Sequence, residues 1–224
     1  ADRRTPPPPG WGSPFASPYL SGQGGLGEDI PLDWVENSGL RVPLDPRVFT
    51  AASLEVVKVG KFDRRHCRTI AGFLAGCGSL LDLDSGFGFV AMRARQAMPG
   101  LAITIHDERP ALLQFSQRVA KANFPEPVGI HWTMLTLNPD AMWSGLAKLI
   151  TIVRPDALRL SDSRLPSEAF PPATLAGIRR ILVPFLDPSE IAGIRLRLTA
   201  SLAEAGLAED PAGEAAGTIV FRRG

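Results

Sequence analysis

At 224 residues the chain is long enough to bury a real core without disulfides or a structural metal, and one domain accounts for its length. Its composition, 45% hydrophobic and 21% charged, excludes fibrous and wholly disordered classes. With 24 Lys+Arg against 23 Asp+Glu, the net charge of +1 gives no field for nucleic acid. The basic pairs Arg64-Arg65, Arg179-Arg180 and Arg222-Arg223 read as solvated surface. Cys67 and Cys77 have no metal-ligand spacing and make no disulfide framework, so no metal and a reducing compartment are expected. No apolar run approaches the roughly 18 residues of a membrane span, and no signal-peptide core opens the chain. A soluble, cytoplasmic protein without a membrane span is the expectation.

From Ala1 to about Leu32 the chain is dominated by Pro, Gly and Ser, which cannot propagate helix or central strand. This segment reads as an extended arm or a disordered tail, followed by one domain over 33–224. Its aromatics Trp11, Phe15 and Tyr19 are spaced four apart, a pattern that could anchor the arm to its own domain, a protein partner or a second copy. Leu40 to Val48 is interrupted by prolines, and Leu54 to Val59 reads as a strand or a short helix. Asp63 is placed to cap a helix running to Leu74, with Cys67, Ile70, Ala71 and Leu74 on one face.

Leu80 to Ala91, LLDLDSGFGFVA, carries the strongest local signal. Leu80–Leu83 reads as a buried strand, Asp84 to Gly88 as a glycine-bearing turn, and Val90 to Met98 as a helix stopped by Pro99-Gly100. Strand, glycine turn and helix is how an α/β protein makes a nucleotide site: glycine admits a close ligand, and the helix N-terminus offers unpaired N–H groups. Leu101 to Ile105 follows as a second strand, with Asp107 and Glu108 at its end. An acid about 20 residues after the glycines can bind a ribose hydroxyl pair.

Pro110 sits well as a first helical residue, and Leu112, Phe115, Val119 and Ala122 mark a helix to Asn123. Val128 to Leu137 reads as a third strand, Ala141 to Leu149 as a short helix and Asp156 to Leu160 as a fourth strand. Pro172 to Arg180 reads as a helix, and Ile181 to Leu186 as a fifth strand whose Pro184 argues against a central place. Ser189 and Glu190 open a helix to Ala205 with Ile191, Ile194, Leu198 and Leu202 inward, closed by Gly206. Thr218 to Arg222 is a final strand. The alternation predicts an α/β fold with a doubly wound, mostly parallel sheet and helices on both faces.

The order of these parts resembles the class I S-adenosylmethionine-dependent methyltransferases, most closely the FkbM-like group. In that group the first strand and turn read approximately V-D-x-G-x-x-x-G, matched here by Asp82 to Gly88. The second strand ends in an E-P-N-P-like segment before a helix with a terminal asparagine, matched by Asp107-Glu108-Arg109-Pro110 and Asn123. The resemblance covers roughly Leu54 to Phe221 and implies a seven-stranded, Rossmann-like methyltransferase sheet. It implies S-adenosylmethionine as cofactor, with Asp82, Asp84, Gly86, Phe87 and Gly88 around the methionine part, Asp107 on the ribose hydroxyls and Glu108 near the adenine. It further implies methyl transfer to a hydroxyl of a small molecule or sugar, with Asp162 as the one candidate base near the acceptor.

Two departures from the pattern matter. Asp84 stands where the family has its first glycine, which sets a like charge beside the methionine carboxylate. Arg159-Leu160-Ser161-Asp162-Ser163 stands where the family's fourth strand ends in a lysine-isoleucine-aspartate-valine-glutamate-glycine run. With the aromatic arm, these departures support a second reading, an inactive methyltransferase-like fold serving as an assembly or interaction subunit. An NAD-type fold fits Gly86-x-Gly88-x-x-Ala91 and Asp107 but lacks a visible catalytic dyad and a substrate domain. Asp82-Leu83-Asp84 is discounted as a metal motif. His66, His106 and His131 read as structural, as do the tryptophans and Phe89.

Overall fold

The computed structural model describes residues 17–20, 25–27, 30–83, 86–126, 129–134, 142–160, 172–185 and 190–224. Two short strands, β1 (Trp34–Asn37) and β2 (Leu40–Pro43), pair as an antiparallel hairpin. Helices α1 (Ala51–Lys58) and α2 (Arg64–Phe73) lead to β3 (Ser79–Leu83). Then follow α3 (Phe89–Ala97), β4 (Ala102–His106), α4 (Pro110–Asn123), β5 (Ile130–Thr133), α5 (Met142–Val153) and β6 (Ala157–Leu160). The chain closes with β7 (Arg180–Pro184), α6 (Glu190–Glu204), β8 (Leu207–Asp210) and β9 (Thr218–Arg223).

Strands β3 to β9 form one seven-stranded sheet in the order β5-β4-β3-β6-β7-β9-β8. All neighbours are parallel except β9, which runs antiparallel to β7 and β8. The predicted doubly wound, mostly parallel, seven-stranded sheet is therefore the fold. From β3 the chain steps outward through β4 to β5, then crosses back to lay β6 against the other side of β3. That reversal is a topological switch point at the C-terminal ends of β3 and β6, the place where ligands bind in open α/β sheets.

Two cores cover the two faces. Alternation along β3 sends Leu80 into a core with α2, α3 and α4, and Leu81 and Leu83 into one with α5 and α6. The inward residues expected of α6 are all buried. Asn123, the last residue of α4, accepts from the Arg41 N–H (2.7 Å) and donates to the Arg41 carbonyl (2.8 Å), holding the hairpin against the helix as a neighbouring strand would.

Several expectations change. The proline-rich lead-in contains the hairpin, whose strands are too short to show alternation. Of the two readings open for Leu54–Val59, strand or short helix, the helix holds over most of its length. Asp63 precedes α2 but makes no capping bond, since its left-handed backbone (φ 45°) turns the carboxylate to His66 instead. The helix expected over Pro172–Arg180 is one 3₁₀ turn, Pro172–Leu175, because the Arg179 and Arg180 N–H groups both donate to the Asp156 carbonyl and pull the chain into β7. β7 is also central despite Pro184. Its pairing to β6 ends at Leu182, before the missing N–H would be needed. β8 has no counterpart among the expected strands. The strand expected from Val128 to Leu137 is Ile130–Thr133 within the described residues. Among the described residues no helix is long and apolar enough to cross a membrane, and no group of His, Cys, Asp and Glu could hold a metal.

The aromatic core fixes the turn. Phe87 is fully buried against Tyr19, Phe49, Phe62, Phe89 and Phe115, with ring centroids 5.0–6.1 Å apart. Truncating a buried phenylalanine costs about 3–5 kcal/mol. Phe87→Ala should lower unfolding free energy in a denaturant titration by that amount, whereas Ile152→Ala, on the exposed face of α5, should change it by less than about 0.5 kcal/mol.

Candidate functional site

The C-terminal ends of β3, β4 and β6 bring several of the expected site residues together. Asp82 is the penultimate residue of β3, Gly86 and Gly88 bracket the turn into α3, and Asp107 follows β4 directly. Asp84 and Asp162 lie outside the described residues.

Asp82 is fully buried and faces its register partner on β6, Arg159. The Arg159 Nη1 donates to Asp82 Oδ1 at 2.9 Å between β3 and β6, where the strand order reverses. Burial works against the Arg159 charge, but Asp82 and Asp63 more than offset it and hold the guanidinium firmly protonated. Burial likewise pushes the Asp63 carboxyl up, yet the hydrogen bond and charge of His66, with Arg159, bring it below the usual range. His66 sits 3.3 Å from Asp63 Oδ1 through Nδ1 and 3.2 Å from the Gly217 carbonyl through Nε2, so its ring is held from both ends.

Asp107 is buried, and its neighbour Arg109 holds both carboxylate oxygens. The Arg109 Nε and Nη2 each donate at 2.7 Å, and the Arg109 backbone N–H adds a third bond at 2.9 Å. A bidentate guanidinium is among the strongest partners a carboxylate can have. The acid expected to bind a ribose is thus placed as predicted and held by a neighbouring cation. Glu108, half-buried, follows it in the turn.

The two glycines differ in what they face. Gly86 has φ +62°, and a Cβ there would overlap the hydroxyl end of the Tyr19 ring. Gly88 has φ +74°, and a Cβ there would run into the Ile105 side chain of β4. Gly88 therefore lets α3 start close against the sheet, and Gly86 presents a bare backbone toward a side chain some 67 residues earlier in the chain. Phe87 points into the aromatic core between them.

Tyr19 belongs to the Pro-rich arm. It bridges Phe49 as a short antiparallel pair, with the Leu20 N–H donating to the Val48 carbonyl (2.9 Å) and the Thr50 N–H to the Pro18 carbonyl (3.1 Å). Its ring contacts Phe49, Phe62 and Phe87, and the Arg109 guanidinium lies 5.5 Å from its centroid. The spacing of arm aromatics is the one sequence signal for this residue. Arg159 carries no signal of its own, since only the fold sets it beside Asp82. Arg109 stands two residues after Asp107, with nothing in the spacing to show that the turn folds its guanidinium onto that carboxylate. Burial holds the Cys67 thiol protonated, pushed up to about 12, so it offers no nucleophile.

No family model and no curated protein matches this sequence. Among solved structures, the chain is similar to an O-methyltransferase family protein from Burkholderia thailandensis (12% identity, TM-score 0.48, 78% of this chain and 60% of that one). It is similar also to human N-acetylserotonin methyltransferase in complex with SAM (16%, 0.44, 76% and 55%). A third is an O-methyltransferase family 2 protein from Planctomyces limnophilus in complex with apigenin (18%, 0.47, 76% and 58%). The chain spans 55–60% of the length of these three, and at such identities the likeness is one of fold.

The Tyr19 phenol has a distinctive titration. Burial, then the Asp63 charge, pushes it well above its ordinary value of 10.0, against smaller pulls from Arg159 and Arg109. A raised acid binds its proton more tightly when folded, so its contribution is complete below pH 10 and is lost as pH rises toward the folded value. Denaturant titrations at increasing pH should show stability falling by up to about 1.4 kcal/mol per pH unit above that point, relative to Tyr19→Phe.

Proposed function

We propose that the protein is an S-adenosylmethionine-dependent methyltransferase of FkbM-like type, acting on a hydroxyl of a small molecule or sugar. The observation that carries this is the meeting of a bare glycine backbone (Gly86), a buried acid (Asp107) and the switch point between β3 and β6 at one sheet edge. A nucleoside joined to an amino acid needs those three features: an acid for the ribose diol, a turn without side chains, and a polar crevice beside it.

The residues fit such a cofactor on two counts. The face of Gly86 that a ligand would use is covered by a side-chain ring, which can move, and not by backbone. The Asp107 carboxylate is aligned by a partner on its own helix-leading turn, which can yield an oxygen without unfolding anything. In this reading Asp107 holds the ribose hydroxyls, Glu108 borders the adenine, and Gly86, Phe87 and Gly88 shape the turn around the methionine end. Asp82 lies beside it with its charge offset by Arg159 toward a carboxylate ligand, and Asp84 is assigned to the same end by the family resemblance alone. When bound, the cofactor supplies an electrophilic methyl group. The chain's own task is to hold that methyl in line with the acceptor oxygen, which is chiefly positioning. Asp162, following β6, is the residue proposed to take the acceptor's proton.

Calorimetric titration with S-adenosylhomocysteine tests the reading. The native chain should bind in the micromolar range. Asp107→Ala, losing a charge-assisted pair of hydrogen bonds, should weaken binding by roughly tenfold to a hundredfold. Absence of binding in the native chain with binding in Asp84→Gly would place the obstruction at residue 84. Binding indifferent to Asp107 would contradict the assignment.

A further inference from the structure

We propose that Tyr19 is a gate built into the cofactor site: its ring and a nucleoside-type ligand compete for the face of Gly86. The inference rests on the cofactor reading above. Its starting point is steric, since even one carbon added to Gly86 would overlap the Tyr19 ring. A ligand that approaches the glycine backbone must move the ring first.

The gate also reaches the ribose acid. Arg109 lies under the Tyr19 ring while it holds both oxygens of Asp107. With the ring in place, the guanidinium is confined between an aromatic face and a carboxylate. With the ring withdrawn, it loses one wall and becomes more exposed to water, which favours release of an Asp107 oxygen to a diol. One displacement therefore opens both halves of the site. Residues 18–20 are held by one isolated β-bridge, whose two backbone hydrogen bonds are each replaceable by water. Gln114 and Arg47 fix the arm at Leu26 and Arg118 fixes it at Ile30, so the motion is confined to the stretch around Tyr19. What it gives up on opening is the contact of one ring with Phe49, Phe62 and Phe87 and its place over the Arg109 guanidinium. Those three rings also pack on one another, so the cluster retains much of its packing without Tyr19.

Tyr19 is the only tyrosine in the chain, which gives the gate its own readout. Nitration by tetranitromethane at pH 8, followed by intact mass, reports the exposure of this one ring in the native protein. Saturating S-adenosylhomocysteine should accelerate nitration at least about fivefold, and Tyr19→Ala should bind the same ligand at least about tenfold more tightly, as expected when a competing closed state is removed. Binding in Tyr19→Ala but not in the native chain would support the gate equally. Nitration that slows or holds constant while the ligand binds, or weaker binding by Tyr19→Ala, would make the ring a wall of the site and overturn the gate, leaving the cofactor reading intact. Failure of both proteins to bind would overturn the cofactor reading, and the gate with it.

Discussion

The ion pair between Asp82 and Arg159 is the constraint on which the rest of the site depends. It joins β3 to β6 across the point where the sheet reverses its order, and it lies almost wholly out of water. A carboxylate buried at a strand end is costly without an opposite charge close by, and removing one partner from such a pair costs far more than the pair returns in net stability. Arg159 also favours the charged form of Asp63, and Asp63 orients His66 against the Gly217 carbonyl ahead of β9. Charges from α2, β3 and β6 thus settle into one connected arrangement beneath the glycine turn.

Above that arrangement lies an apolar one. Phe49, Phe62, the Phe87/Phe89 pair and Phe115 come from four stretches of chain, and Phe87 brings the glycine turn itself into the cluster. Phe87 anchors the Gly86–Gly88 part of the turn because it is itself core. Tyr19 joins from the arm and carries a hydroxyl to the boundary between the two arrangements, where burial makes its ionisation unfavourable. The site is therefore filled and neutralised by the protein's own side chains: a ring over Gly86, a guanidinium on Asp107 and another on Asp82. A site of this kind binds a ligand only by exchanging internal interactions for external ones, so its affinity reflects the cost of opening as much as the strength of the new interactions.

Local pattern made much of this fold legible. The buried strand at Leu80–Leu83, the glycines behind it, Pro110 at the head of α4 and the inward stripe of α6 each carry their signal in neighbouring residues. The hairpin did not, because strands of four residues set among prolines show too little alternation. The 3₁₀ turn at Pro172 did not either, since its end is imposed by the distant Asp156 carbonyl. Among the candidate site residues, Gly86 and Asp107 could be named from spacing, and Asp82 from the family resemblance. Arg159, Arg109, Asp63 and Tyr19 could not, because each acquires its role from a partner on another element, or from a turn whose shape the spacing leaves open.

The central claim is that the edge formed by β3 and β4 at Gly86 and Asp107 receives a nucleoside ligand. Ile105 offers a direct probe, since its side chain packs against Gly88 directly beneath the turn, whereas Ile181 and Ile194 lie in the opposite core. With isoleucine δ1-methyl labels, a two-dimensional NMR titration with S-adenosylhomocysteine should shift the Ile105 resonance and leave those of Ile181 and Ile194 in place. A saturable shift confined to the opposite core, with Ile105 unmoved, would put the ligand elsewhere and contradict the account.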